Sequence, residues 1–194
     1  MGAFCRHKMV KIIILNSPPN TGKDETAKFL KDNLGMYHTE FKRKLFELTK
    51  SIYCIPDNVW DELYTRENKE KPTDWCNGLS PRNALINVSE NIIKPNFGST
   101  YFGVAAAKDV FNNDINTVFS DGGFASELEP LIELFGEENI LVIRIHMKGR
   151  DFSMDSRNYL PDGTVKHMLD VENVFGEFDS FKNNISNIVR NFLD

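Results

Sequence analysis

The sequence predicts an α/β fold: a three-layer α/β/α sandwich around a short parallel sheet. Three observations carry that expectation. Short apolar, β-branched runs such as Val10–Leu15 and Ile140–Ile145 are too brief for buried helices and read as strands buried on both faces. Stretches of helical period separate them, and strands alternating with helices imply parallel pairing. No internal repeat or low-complexity linker divides the 194 residues, a length that suits one domain with a sizeable core.

Taken in order, the first strand lies near residues 10–16 and is followed by a turn-rich segment. A helix from Asp24 to Leu34 places Ala27, Leu30 and Leu34 on one face and ends at Gly35, a natural C-terminal cap. A second strand is expected near 36–40. Phe41, Leu45, Leu48 and Ile52 then form a helical stripe at spacings of four, three and four. A short helix over Asp57–Tyr64 and a polar loop over Glu67–Gly78 come next. Ser80-Pro81 is a strong helix start, with serine as cap and proline in the first turn, and that helix is expected to stop before Pro95. Thr100–Phe111 should be helical, and 116–120 a third strand leading into Asp121-Gly122-Gly123. A helix from Ser126 to Phe135, a strand near 139–146, a polar loop over 147–165, a strand near 167–171 and a helix over Phe178–Leu193 complete the chain.

Composition excludes several classes. The formal net charge of −5 argues against a protein that coats nucleic acid through overall basicity. The charge is uneven: residues 1–97 carry 15 Lys+Arg against 12 Asp+Glu, and residues 98–194 carry 8 against 16. The basic half could hold phosphates, or the asymmetry could be a solvated surface. Cys5, Cys54 and Cys76 are too scattered for a disulfide framework or zinc site, and His7, His38, His146 and His167 lack metal-ligand spacing. This suggests a reducing, cytoplasmic setting. Val10–Leu15 is too short for a signal core or membrane span, so no membrane association is expected.

The segment Ser17-Pro18-Pro19-Asn20-Thr21-Gly22-Lys23-Asp24-Glu25-Thr26 sits between a hydrophobic strand and a helix start. That is the setting of a phosphate-binding loop, whose amide groups and helix N-terminus converge on phosphate oxygens. Asn20, Thr21, Gly22, Lys23, Asp24, Glu25 and Thr26 are the candidate binding residues. Ser17 stands where a glycine is usual, and Asp24 where a Ser or Thr usually approaches Mg²⁺. A capped turn with Lys23 simply exposed is the alternative. Arg82 begins a predicted helix, where the dipole disfavours a cation unless an anion faces it. Asp121 follows a predicted strand at the sheet edge where α/β ligands bind. Lys148, Arg150 and Arg157 lie in the late polar loop. Lys42, Arg43 and Lys44 form a basic run whose simplest reading is a solvated face, and Trp60 and Trp75 read first as packing residues.

Gly22-Lys23-Asp24-Glu25-Thr26-Ala27 resembles the phosphate loop of the bacteriophage deoxynucleoside monophosphate kinases. Three further blocks carry the resemblance: Ser80-Pro81-Arg82-Asn83-Ala84-Leu85 with Asn96-Phe97 and Tyr101-Phe102; Phe119-Ser120-Asp121-Gly122-Gly123-Phe124 with Glu127; and Ile140–Ile145 with Lys148-Gly149. It spans residues 10–190 or so. It implies a P-loop kinase-like sheet with a helical acceptor-binding insertion at about 41–112 and a lid at about 147–165. It implies ATP as donor, Mg²⁺ held through Asp24 and a deoxynucleoside monophosphate as acceptor; a homodimer is a further expectation. Lys23, Arg82, Asp121, Arg150 and Arg157 would be catalytic, with Lys23 on the transferred group, Arg82 on the acceptor phosphate and Thr26 near an α-phosphate. Two other readings stand beside it: a phage kinase acting on 5-hydroxymethyluracil in DNA, which the Lys42–Lys44 run would suit, and a nucleotide-binding module without catalysis.

Overall fold

Strand β1 (Ile12–Asn16) is wholly inaccessible to solvent, and its alternation divides the core in two. Ile12 and Ile14 point to one face with Phe41, Phe119, Leu128 and Leu131. Ile13 and Leu15 point to the other with Ala27, Leu30, Ile185 and Val189. Each such side chain removed from water contributes roughly 1.5–3 kcal/mol, which explains why the most apolar run occupies the centre of the sheet. The computed structural model describes residues 10–153, 155 and 157–194, so the features noted at Met1–Lys8, including Cys5 and His7, lie outside the described residues.

The sheet has five parallel strands in the order β2-β3-β1-β4-β5, with β2 at Tyr37–Thr39, β3 at Thr117–Gly122, β4 at Ile140–His146 and β5 at His167–Glu172. Each begins and ends within two residues of its predicted bounds. Helices α1 (Lys23–Leu34) and α8 (Phe178–Leu193) cover one face. Helices α6 (Tyr101–Asn113) and α7 (Ala125–Phe135) cover the other. Between β2 and α6 lies a helical insertion with its own small cores: α2 (Lys42–Ile52), α3 (Asp57–Leu63), a single 3₁₀ turn at Asp74–Cys76, and α4 (Pro81–Ile86).

Two local expectations change. The helix begun at Ser80, whose hydroxyl accepts from Asn83 N at 3.2 Å, does not stop before Pro95. It widens into a π-helical stretch over Asn87–Ile93 and runs on through Pro95 as α5 (Lys94–Phe97). The polar loop at 147–165 is also not uniform. Leu160 and Val165 are core residues, so its second limb is built into the body of the domain.

One irregularity aims the site. From Ile14 to Asn16, β1 advances two residues while its partner β3 advances three, from Phe119 to Gly122. A bulge of this kind redirects the side chains beside it, and Asp121 lies within it.

Candidate active site

The loop after β1 turns through Asn20 (φ 63) and Gly22 (φ 86), both left-handed. Any side chain at Gly22 would be strained, because φ is left-handed and a Cβ there would lie 2.8 Å from a ring carbon of Phe178. The loop is held from within and from behind. Thr21 Oγ1 sits 2.6 Å from Ser17 Oγ and donates to Pro18 O at 3.1 Å. Asn173, just past β5, donates to Thr21 O at 2.8 Å. Thr26 is buried, and its hydroxyl donates to Gly22 O at 2.8 Å, so a bond to an α-phosphate would require that contact to break. Asp24 and Glu25 are exposed in the first turn of α1.

Lys23 lies half-buried with its ammonium 3.4 Å from Pro18 O. Burial lowers its pKa; Asp24 opposes the shift, whereas Arg157 and Lys42 reinforce it. An amine in this state favours a neighbouring anion.

Asp121 is buried at the end of β3. Its carboxylate accepts from Phe41 N at 2.7 Å and Lys42 N at 3.1 Å, joining β3 to the start of α2. Stacking of Phe41 on Phe119, with ring centroids 4.3 Å apart, fixes the same junction. Arg157 Nη2 lies 3.5 Å from Asp121 Oδ2. Burial disfavours the Arg157 charge, but Asp121, Glu127 and Asp155 together raise its pKa. Glu127, in the first turn of α7, accepts from Phe124 N at 3.3 Å. Burial, then the charge of Asp121, push its pKa up to about 8 despite the opposing pull of Arg157.

The basic run at 42–44 splits. Lys42 turns inward, 2.8 Å from Glu40, and although burial opposes its charge, Asp121 and Glu40 keep its pKa raised. Arg43 pairs with Asp109 and the Tyr37 hydroxyl, and Lys44 with Glu47. Arg82, at the start of α4, pairs with Glu70 at 2.7 Å. Tyr64, stacked on the buried Trp60 at 5.3 Å, lies within electrostatic reach of Lys42, Arg82 and Arg157; burial raises its pKa and the three cations oppose the rise. Arg150 is exposed, and no described contact links it to this group. Trp75 is half exposed in the loop.

Five residues escaped the sequence reading. Arg66 donates to Asn20 Oδ1, in the loop after β1, at 2.6 Å, and nothing in its polar loop announced that reach. Lys69 is close enough to Arg82, Arg66 and Lys42 that, after burial, they lower its pKa. Tyr64 and Asn173 carried no spacing signal. Asn16 did carry one: it is the only polar residue of β1, yet it is buried.

Among the described residues no group of three His, Cys, Asp or Glu could hold a metal ion, and no helix is long and apolar enough to cross a membrane. No protein-family model and no curated protein matches the chain. Among solved structures, a candidate kinase from Chloroflexus aurantiacus shares the fold at a TM-score of 0.54 and 14% identity, covering 96% of this chain and 100% of its own. An uncharacterised protein from Eubacterium ventriosum aligns over 95% of this chain and 99% of its own, with a TM-score of 0.48 and 14% identity. Dephospho-CoA kinase from Campylobacter jejuni aligns over 92% and 96%, with a TM-score of 0.48 and 11% identity.

Proposed function

We propose that this chain transfers a phosphoryl group from a nucleoside triphosphate to a deoxynucleoside monophosphate. The observation that carries the proposal is convergence. Lys23 after β1 lies within electrostatic reach of Lys42 from α2 and Arg157 from the late loop, Tyr64 within reach of Lys42, Arg157 and Arg82 from α4, and Arg157 contacts Asp121. Phosphoryl transfer consists mostly of positioning and charge neutralisation, and two phosphorylated substrates would supply anions for these cations.

Lys23 would bear on the transferred group and Arg82 on the acceptor phosphate. Asp121 fits a positioning part better than a proton-accepting one, because its oxygens already serve two amides and Arg157. An acceptor phosphate arrives ionised and needs no base, which favours it over a hydroxyl such as that of 5-hydroxymethyluracil. The divergence of Lys42, Arg43 and Lys44 into separate ion pairs also removes the continuous basic strip that a DNA groove would use. Exposed Asp24 beside Lys23 suits Mg²⁺ held chiefly by phosphate oxygens and water, since that ion takes few protein carboxylates. When bound, it would neutralise charge on the donor phosphates. The deoxynucleotide as acceptor rests on the sequence resemblance.

The test is transfer of labelled γ-phosphate from Mg²⁺-ATP to each dNMP, and in parallel to duplex DNA carrying hydroxymethyluracil. Label on a dNMP, reduced by about 10²-fold or more in Lys23→Ala, is the expected result. Label on DNA alone would overturn the acceptor. ATP binding without transfer to either would favour a binding module.

A further inference from the structure

We propose that Asn16 is a positioning residue that holds Arg157 in place before any substrate arrives. The inference rests on the phosphoryl-transfer reading above and concerns how one of its cations comes to be there. Asn16 ends the central strand with no solvent access. Both donors and the carbonyl of its amide are engaged: Nδ2 donates to Gly122 O and Asn158 O, each at 3.0 Å, and Oδ1 accepts from Leu160 N at 2.8 Å. One side chain thereby ties the end of β1 to the bulged end of β3 and to both sides of Tyr159.

The limb it holds is anchored elsewhere too. Tyr159 donates to Ile145 O at 3.0 Å, Arg144 donates to Leu160 O at 3.1 Å, and Leu160 is buried. Arg157 is the residue before Asn158, so its starting point is set by this clamp. Its aliphatic stem then lies along Gly123, where a Cβ would come within 2.8 Å of Arg157 Cβ and Cδ. The guanidinium is directed at Asp121. A residue at position 16 must donate twice and accept once while buried. Asparagine meets that demand; aspartate lacks the donors and leucine lacks both. A loop closing over substrate could bring in groups from residues 147–153, but Arg157 needs no such motion.

The experiment uses Asn16→Ser, Gly123→Ala, Arg157→Ala and each of the first two combined with Arg157→Ala. Asn16→Ser and Gly123→Ala should each lower kcat for dNMP phosphorylation by about 10- to 100-fold with KM for ATP changed little, as expected for displaced transition-state charge. Neither should lower it further once Arg157 is alanine. Losses that multiply across the pairs would overturn the proposal. Independently of activity, the Arg157 Nε–Hε resonance should be sharp and slowly exchanging in the unliganded wild type and lost in Asn16→Ser. A resonance unchanged in that variant would equally overturn it. If Asn16→Ser fails to fold, Asn16→Thr carries the same test, while Gly123→Ala reports only on the seat of the Arg157 stem. Full activity in Arg157→Ala would sink the role of Arg157 in transfer, while the resonance would still decide whether Asn16 positions it.

Discussion

Glu127 and Lys23 are displaced from their ordinary titration in opposite senses by the same crowding. For Glu127 the folded pKa of about 8 exceeds the usual 4.5, so the folded chain holds a proton that the unfolded chain releases. Stability should therefore fall as pH rises between those two values. Glu127→Gln should remove that slope, and melting temperatures measured from pH 5 to 9 would show it; an identical slope in the variant would contradict the assignment. For Lys23 the folded pKa lies below 10.5, so the amine begins to lose its proton at lower pH than a free lysine. A bound triphosphate reverses the shift, so donor binding should take up protons at alkaline pH. Calorimetry in two buffers of different ionisation enthalpy measures that uptake, and Lys23→Ala should abolish it.

Among the elements, legibility followed the kind of signal. Strand β1 and the first half of β4 announced themselves as buried apolar runs, whereas the edge strands β2 and β5 carry polar, partly exposed positions and were legible mainly from their place between helices. The turn between β1 and α1 was readable from Gly22-Lys23 in its strand-to-helix setting. The π-helical stretch at Asn87–Ile93 was not, because a sequence with ordinary helical period says nothing about one extra residue per turn. Nor was the bulge beside Asp121, which depends on register between strands about a hundred residues apart. Convergence of Arg66 and Lys69 on the loop is likewise tertiary, a matter of where the insertion folds back. Close packing of α6 on α7 yields a separate expectation. A Cβ on Gly103 would lie 2.5 Å from Glu127 O, so Gly103→Ala should cost about 1–3 kcal/mol in denaturant unfolding, as overpacking does. A loss below about 0.5 kcal/mol would show that the two helices can part freely.

At the scale of the whole molecule, a nucleotide that spans the loop after β1 and the helical insertion, as proposed, should stabilise everything it touches. A non-hydrolysable ATP analogue with Mg²⁺ at about 100 times its Kd should raise the melting temperature by roughly 5–10 °C. Thermal scanning with and without the analogue tests this, and no shift in wild type would contradict nucleotide binding. The central place of β1 has a consequence of another kind. Its neighbours in the sheet, β3 and β4, begin at Thr117 and Ile140, so the most water-averse segment is made first and paired late. At about 5–20 residues per second, a ribosome needs on the order of 6–25 s to go from the end of β1 to the start of β4. For that interval Ile12–Leu15 is a sticky strand without a sheet. Nascent chains arrested before Ile140 should therefore be protease-sensitive and bound by chaperones that hold exposed apolar segments, and chains released at full length should be neither.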